Sequence, residues 1–176
     1  MSAHELTISI ATADDAELLT QLSITTFCET FMADNKKEDM DKYIAEEMNV
    51  QKLTGELDDA GNIFFLIACD GVTVGYAKMR TAKIPAGLNC ANPIELERIY
   101  VLKAYLDKKI GAALMNHCMN HALSNHHDVM WLGVWEHNYR AVNFYKSRGF
   151  EFFGSHDFVL GDDVQTDMLM KKSLAL

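Results

Sequence analysis

The segment IELERIYVLKAYLDKKIGAALM, residues 94–115, decides the fold. Its first eight residues alternate between apolar and polar side chains, which predicts a strand over residues 94–101. A turn containing Asp107, Lys108 and Lys109 follows, and a helix begins near Ile110. The N–H groups at a helix start lack intrahelical partners and lie at the positive end of the helix dipole. The segment is therefore a candidate anion site, although an ordinary turn with two solvated lysines has the same pattern.

A second informative segment is WLGVWEHNYRAVNFYKSRGF, residues 131–150. Its first part is apolar almost throughout, which is typical of a strand that is buried on both faces. Asn138 then caps a helix predicted over residues 139–148, and Gly149 ends it. Tyr145 lies on this helix. From its position alone, it is interpreted as a partly buried aromatic whose hydroxyl has found a hydrogen-bond partner.

The remaining segments complete one domain over residues 1–176. They predict a strand over residues 6–12, a helix capped at Thr12, one or two helices in residues 36–59, a hairpin turning at Asp70 and Gly71, and final strands over residues 151–160 and 167–172. This order of elements is that of a mixed α/β domain built around one sheet. Periodicity does not give the order of the strands within that sheet.

The composition narrows the class of partner. The formal net charge of −9 argues against nucleic-acid binding, which needs a basic face, and is compatible with a cationic small molecule. No apolar run approaches the roughly 20 residues of a membrane-spanning helix, and residues 1–5 do not resemble a secretory signal. The four cysteines are far apart and form no C-x-x-C pair, which favours free thiols and a cytoplasmic location.

Taken together, the two segments resemble the GCN5-related N-acetyltransferase (GNAT) superfamily, and the resemblance covers nearly the whole chain. WLGVWEHN, AVNFYKSRGF and the tail FVLGDDVQTDMLMKK are most similar to the PaiA-type enzymes, which acetylate spermidine and related polyamines. The resemblance implies the acyl-CoA N-acyltransferase fold, an α/β domain whose mixed, mostly antiparallel sheet is flanked by helices. It also implies acetyl-CoA as co-substrate and a small-molecule primary amine as acceptor.

The same resemblance implies a role for each matching residue. Main-chain groups of Ile99, Tyr100 and Val101 would pair with the pantetheine arm, and Asn138 would bond the same arm. Tyr145 would protonate the departing thiolate. The pyrophosphate would be held by the turn and the first helical residues, namely Asp107, Lys108, Lys109, Ile110, Gly111 and Ala112.

One part of the acyl-CoA loop departs from the family pattern. The superfamily pattern is Arg/Gln-x-x-Gly-x-Gly/Ala, and this chain has Leu106, Lys109 and Gly111 at the three marked positions. Because Lys109 replaces a residue without a side chain, altered or reduced affinity for the co-substrate is expected. The departure also keeps open a non-catalytic regulator that binds acyl-CoA without turnover.

A proton acceptor is needed because a primary amine, with a pKa near 10, is mostly protonated at neutral pH. Glu95 falls where histone acetyltransferases of this fold have their base, and Glu97 is the substitute candidate on the same strand face. Both carboxylates could equally be solvated, or paired with Arg80 or Arg98.

The predicted acceptor is a polyamine such as spermidine, and a protein N-terminus, a lysine or another small amine are the alternatives. Five carboxylates in the first helical region would attract its positive charges, namely Glu29, Asp34, Glu38, Asp39 and Asp41. A solvated helix face has the same pattern. The oligomeric state is not readable from the sequence, and a homodimer is compatible with it.

No metal is expected. His117 and His121 have the four-residue spacing of a two-ligand helix face. They lie, however, in a polar stripe with Asn116, Asn120 and Ser124, which predicts a solvent-exposed face.

Overall fold

A computed structural model describes residues 4–81 and 84–174. Residues 1–3, 82–83 and 175–176 lie outside this part of the chain. Residues 82 and 83 are the last two of the segment 62–83, in which the hairpin is predicted. The helices are α1 (Ala16–Phe31), α2 (Lys37–Glu47), α3 (Val50–Asp58), α4 (Ile110–Ser124) and α5 (Tyr139–Lys146). The strands are β1 (Leu6–Ile10), β2 (Asn62–Cys69), β3 (Val72–Arg80), β4 (Pro93–Val101), β5 (Val129–Trp135), β6 (Glu151–Leu160) and β7 (Asp163–Ser173).

The seven strands form one sheet in the order β1-β2-β3-β4-β5-β7-β6. All neighbouring pairs are antiparallel except β4 and β5, which are parallel. The mixed, mostly antiparallel sheet predicted from the sequence is thereby confirmed, and the structure adds the strand order that periodicity does not give.

The central feature of the sheet is a separation of β4 from β5. Residues 93–95 pair with residues 129–131, and the pairing then stops. Beyond this point β4 continues beside β3 as far as Val101, while β5 continues beside β7 as far as Trp135. The two strands therefore diverge, and a cleft opens in the middle of the sheet.

The helices cover the two faces of the sheet. The larger core lies on the face of α4 and α5, and α1, α2 and α3 cover the other face with two smaller clusters. The apolar spacing of α4 predicts a buried stripe of Gly111, Ala112, Met115, Cys118, Met119 and Ala122, but Gly111, Ala112 and Met119 are only partly buried. The observed buried stripe consists of Ile110, Leu114, Met115, Cys118 and Ala122.

Element boundaries follow local hydrogen bonding. The first strand ends at Ile10 rather than Thr12, because the Thr12 N–H donates to the Asp15 carboxylate at 2.8 Å and starts the first helical turn. Residues 36–59 form two helices, and Asn49 caps the second by accepting from the Lys52 N–H at 2.9 Å. The last strand begins at Asp163, four residues earlier than predicted.

The predicted solvent face of α4 is wrong for its two histidines. The rings of His117 and His121 pack edge-on against Phe65 of β2, with centroids 4.6 and 5.2 Å apart respectively. They are half-buried because an aromatic ring fills the space beneath them. Neither belongs to a three-residue cluster of metal-ligating side chains within the described ranges. In the same ranges, no helix combines the length and apolarity needed to cross a bilayer.

Candidate active site

A cavity of about 740 Å³ occupies the cleft between β4 and β5. The cavity extends from the start of α4, past α5, to the part of the sheet that β7 and β6 form. Nearly every residue that the sequence analysis assigned to catalysis or co-substrate binding lines this one cavity. The exception is Lys108, whose ammonium instead lies 4.6 Å from the centre of the Tyr105 ring.

The turn before α4 has two residues in the left-handed region. Asp107 has φ 65° and Lys109 has φ 61°, and α4 begins at the next residue, Ile110. A residue with a side chain pays about 1–2 kcal/mol for this conformation, which explains why glycine suits the Lys109 position. The Asp107 carboxylate is 2.8 Å from the Arg140 guanidinium, and both side chains are exposed. The turn thus brings the first residues of α4, Ile110, Gly111 and Ala112, to the cavity without a glycine at the Lys109 position.

Helix α5 supplies Asn138 and Tyr145 to the same cavity. The Asn138 side chain caps the helix by accepting from the Ala141 N–H at 3.2 Å, as predicted. Tyr145 is buried against Phe144 and Phe150. Burial raises the pKa of the Tyr145 phenol well above its usual value, with a smaller contribution from Cys118. The phenol is therefore a protonated group at neutral pH.

Glu95 and Glu97 lie in a buried ion-pair cluster. The cluster contains three acidic and three basic side chains, namely Glu56, Glu95, Glu97, Lys78, Arg80 and Arg98. Arg80 contacts both carboxylates of β4, with Nε 2.6 Å from Glu95 and Nη1 2.9 Å from Glu97. Lys78, only 2% exposed, lies 2.6 Å from Glu97 and 3.0 Å from Glu56. The pairing with arginine that the sequence left open is the arrangement found.

Burial dominates the electrostatics of Glu95. The residue is 6% exposed, and desolvation raises the pKa of its carboxyl above the ordinary value although Arg80 opposes the shift. Arg98 joins the cluster from the other side, with a two-pronged contact to Glu56 at 2.8 and 3.0 Å. Because acids and bases are equal in number, the ion-pair cluster carries no net charge.

The opposite side of the cavity contains residues that the sequence analysis missed. Trp135 of β5, Asp167 of β7 and His156 of β6 are direct cross-strand neighbours, and we call them the aspartate row. The Asp167 carboxylate is 3.7 Å from His156 Nε2. Burial raises the pKa of the Asp167 carboxyl, and His156 opposes this. Only the strand register brings these three residues together, so no local sequence signal could have found them.

Aromatic rings close the cavity on the side of α1 and α2. We call this layer the aromatic wall, and it consists of Phe27, Phe31, Tyr43 and Phe158. The Phe27 and Tyr43 rings are stacked at 5.1 Å, and Tyr43 lies 5.5 Å from Phe158. Phe31 meets Trp135 edge-on at 6.1 Å, so the aromatic wall joins the aspartate row.

The five carboxylates predicted to attract an amine are mostly elsewhere. Asp34, Glu38, Asp39 and Asp41 do not line the cavity. Asp39 accepts from the Asp162 N–H and so holds the β6–β7 turn, while Asp41 is paired with Lys37. Glu29 does line the cavity, but its carboxylate accepts from the Lys103 N–H at 2.7 Å. Glu29 is thus the only one of the five that lines the cavity, and Glu29, Asp39 and Asp41 have partners of their own.

A sheet divided by a cleft, with a helix start at its mouth, is the architecture of an N-acyltransferase that uses an acyl thioester of CoA. The chain belongs to the acetyltransferase (GNAT) family, whose model matches residues 24–150. It is 41% identical over 153 residues to an uncharacterized N-acetyltransferase from the pepI 3′ region of Lactobacillus delbrueckii subsp. lactis. That match covers 87% of this chain and 88% of the relative.

Solved structures show the same fold. The PaiA N-acetyltransferase of Thermoplasma acidophilum, in complex with coenzyme A, is similar with a TM-score of 0.78 and 21% identity. The match covers 96% of this chain and 99% of that one. The ribosomal-protein-S18-alanine N-acetyltransferase of Escherichia coli is similar with a TM-score of 0.70 and 16% identity, covering 98% and 96%. The protein is thus an N-acetyltransferase with acetyl-CoA as co-substrate.

Proposed function

We propose that the enzyme, with residues 1–176 acting as one catalytic domain, transfers the acetyl group of acetyl-CoA to a small primary amine bound in the central cavity. The observation that carries this proposal is the cleft itself. Its lining includes the protonated phenol of Tyr145 on α5, the buried carboxylate of Glu95 on β4 and the partly buried carboxylate of Asp167 on β7. A thioester in the cleft would therefore have a proton donor and proton acceptors nearby.

The proposed co-substrate site uses main-chain groups. Within the part of the chain that the structure describes, the edge of β4 that faces β5 has no strand partner beyond residue 95, so Ile99, Tyr100 and Val101 can pair with the amides of the pantetheine arm. The N–H groups at the start of α4 can bind the pyrophosphate. Asn138 lies in the same cavity, where it can bond the arm.

In the proposed reaction, the acceptor first loses its ammonium proton to Glu95, directly or through water. Its raised pKa makes Glu95 a stronger base than an exposed carboxylate, and Glu97 is the alternative. The free amine forms a C–N bond to the thioester carbonyl carbon, and the C–S bond then breaks. The departing thiolate takes the phenolic proton of Tyr145. The proton lost by the new amide nitrogen restores the phenol.

The acceptor predicted from the sequence is a polyamine such as spermidine. Of the five carboxylates predicted to attract it, Glu29 alone lines the cavity. The proposed acceptor class is accordingly a small primary amine, with spermidine as one member of the assay panel.

The test is acetyl-CoA turnover, followed as thiol release with a panel of amines. Tyr145→Phe should lower kcat by roughly 10²–10⁴-fold, since the phenyl ring keeps the packing but has no proton to give. Tyr139→Phe is the matched control, because Tyr139 is on the same helix but 67% exposed. It should retain wild-type turnover.

Two results would contradict the proposal. One is full activity in Tyr145→Phe. The other is tight calorimetric binding of acetyl-CoA with no turnover of any amine, which would instead identify a non-catalytic acyl-CoA-binding regulator.

A further inference from the structure

The Asp167 side chain lies in space that Gly133 leaves open because glycine has no Cβ, and both residues line the cavity. A Cβ placed on Gly133 of β5 would lie 3.3 Å from Asp167 Oδ2 and 3.4 Å from His156 Nε2. Both side chains therefore lie against Gly133, which is two residues beyond the last β4–β5 pair. This places a partly buried carboxylate beside the point where the strands diverge, which is where the proposed thioester would lie.

Asp167 differs from the other cavity carboxylates in its partners. Glu95 and Glu97 are neutralised within the ion-pair cluster, Asp107 is paired with Arg140, and Glu29 accepts a backbone N–H. Across residues 4–81 and 84–174, no lysine or arginine comes within 4 Å of the Asp167 carboxylate, and its ionic neighbour is His156. A partly buried carboxylate without a permanent cation is a favourable position for a substrate cation.

The surroundings of Asp167 suit an apolar substrate body. Its cross-strand neighbour Trp135 meets Phe31, and the aromatic wall continues from there through Tyr43 to Phe158. Each CH₂ group of a substrate that packs on these rings is removed from water, which favours an apolar body. A second ammonium group on the same substrate would enter this aromatic surface without a carboxylate of its own.

We infer that Asp167 binds the ammonium group of a monocationic primary amine whose apolar or aromatic body packs on the aromatic wall. This inference rests on the proposed function and names its acceptor class. Asp167 is assigned substrate binding, His156 holds the carboxylate in place, and proton removal stays with Glu95. Arylalkylamines and alkylamines are therefore preferred over diamines and polyamines.

The experiment compares two amines that differ by one charge. Hexylamine and 1,6-diaminohexane share the same six-carbon chain, and phenethylamine and spermidine extend the series in either direction. Thiol release from acetyl-CoA should give hexylamine at least a tenfold higher kcat/KM than 1,6-diaminohexane, because the second ammonium must be desolvated. A preference for the diamine or for spermidine overturns the inference while the proposed function stands. If no amine is turned over, both are wrong.

A matched pair of variants tests the residue. Asp167→Asn should lower kcat/KM for hexylamine by roughly 10- to 100-fold, the usual effect of losing a charge-assisted contact, with the KM for acetyl-CoA unchanged. Asp157→Asn makes the same chemical change on the neighbouring strand, where the side chain is exposed, and should have no effect. Equal activity in the two variants would overturn the assignment of Asp167, and this comparison uses folded proteins of nearly identical composition.

Discussion

The β4 side and the β7 side of the central cavity differ in how their carboxylates are paired with cations. On the β4 side, Glu95 and its acidic neighbours are matched one for one by Lys78, Arg80 and Arg98. On the β7 side, Asp167 has a single histidine nearby. The pKa of both Glu95 and Asp167 is raised by burial, but only Asp167 lacks a permanent cation. The difference teaches that the number of carboxylates in a cavity says little about how many can receive a cationic ligand.

The largest expected effect comes from breaking the balanced side. Lys78→Met should lower the free energy of unfolding by about 3–5 kcal/mol, since it leaves Glu56 and Glu97 buried with one cation fewer. Chemical denaturation would measure it. Lys52→Met removes a half-exposed pair with Glu47 and should cost less than about 1 kcal/mol. Similar losses in the two variants would show that the cluster is not a coupled buried unit.

The second-largest expected effect concerns the turn before α4, where the co-substrate pyrophosphate is proposed to bind. Lys109→Gly should raise the free energy of unfolding by about 1 kcal/mol, because glycine accepts the left-handed conformation without strain. Lys108→Gly is the adjacent control, and Lys108 is not among the residues with positive φ. It should destabilise the protein by about 0.5–1 kcal/mol through added freedom of the unfolded chain. The reverse order of stabilities would refute the strain at Lys109.

The smallest expected effect sharpens the comparison through pH. A carboxyl whose pKa is raised on folding contributes stability below its unfolded pKa, and that contribution is lost as pH rises through the folded pKa. Wild-type protein should therefore lose stability relative to Asp167→Asn over the range above the ordinary aspartate pKa of about 3.9. Thermal melts of both proteins across this range would measure the difference. A rise in the stability of wild-type protein relative to Asp167→Asn with rising pH would contradict this. It would mean that folding lowers the pKa of the Asp167 carboxyl, as it does for a carboxylate paired with a cation.

Local features were predictable because short-range physics determines them. The Asp70–Gly71 turn joins β2 and β3 as predicted, and Asn138 caps α5. Gly149, at φ 83°, ends the last helix. Each of these depends on one or two residues and their immediate neighbours, so a single sequence carries the signal.

Features that depend on register were not predictable. The Arg80–Glu95 contact joins two strands, and the aspartate row joins three. The sequence left Arg80 and Arg98 open as partners of the glutamates, and only the register selects Arg80 for Glu95. The aspartate row has no signature within any one segment. The acidic residues of α2 show the opposite case, in which a sequence pattern was present but did not indicate a site. Their density predicted attraction of the acceptor amine, but Asp39 binds the Asp162 N–H and Asp41 pairs with Lys37.

The short β4–β5 junction has a consequence for the lifetime of the protein. Among residues 4–81 and 84–174, three residue pairs join strands β1–β4 to strands β5–β7 edge to edge. A molecule of acetyl-CoA lying along the exposed edge of β4 would act as a surrogate strand between the two groups. Because a ligand that binds only the folded state lowers the unfolded fraction, a well-fed cell would keep more of this enzyme intact than a starved one.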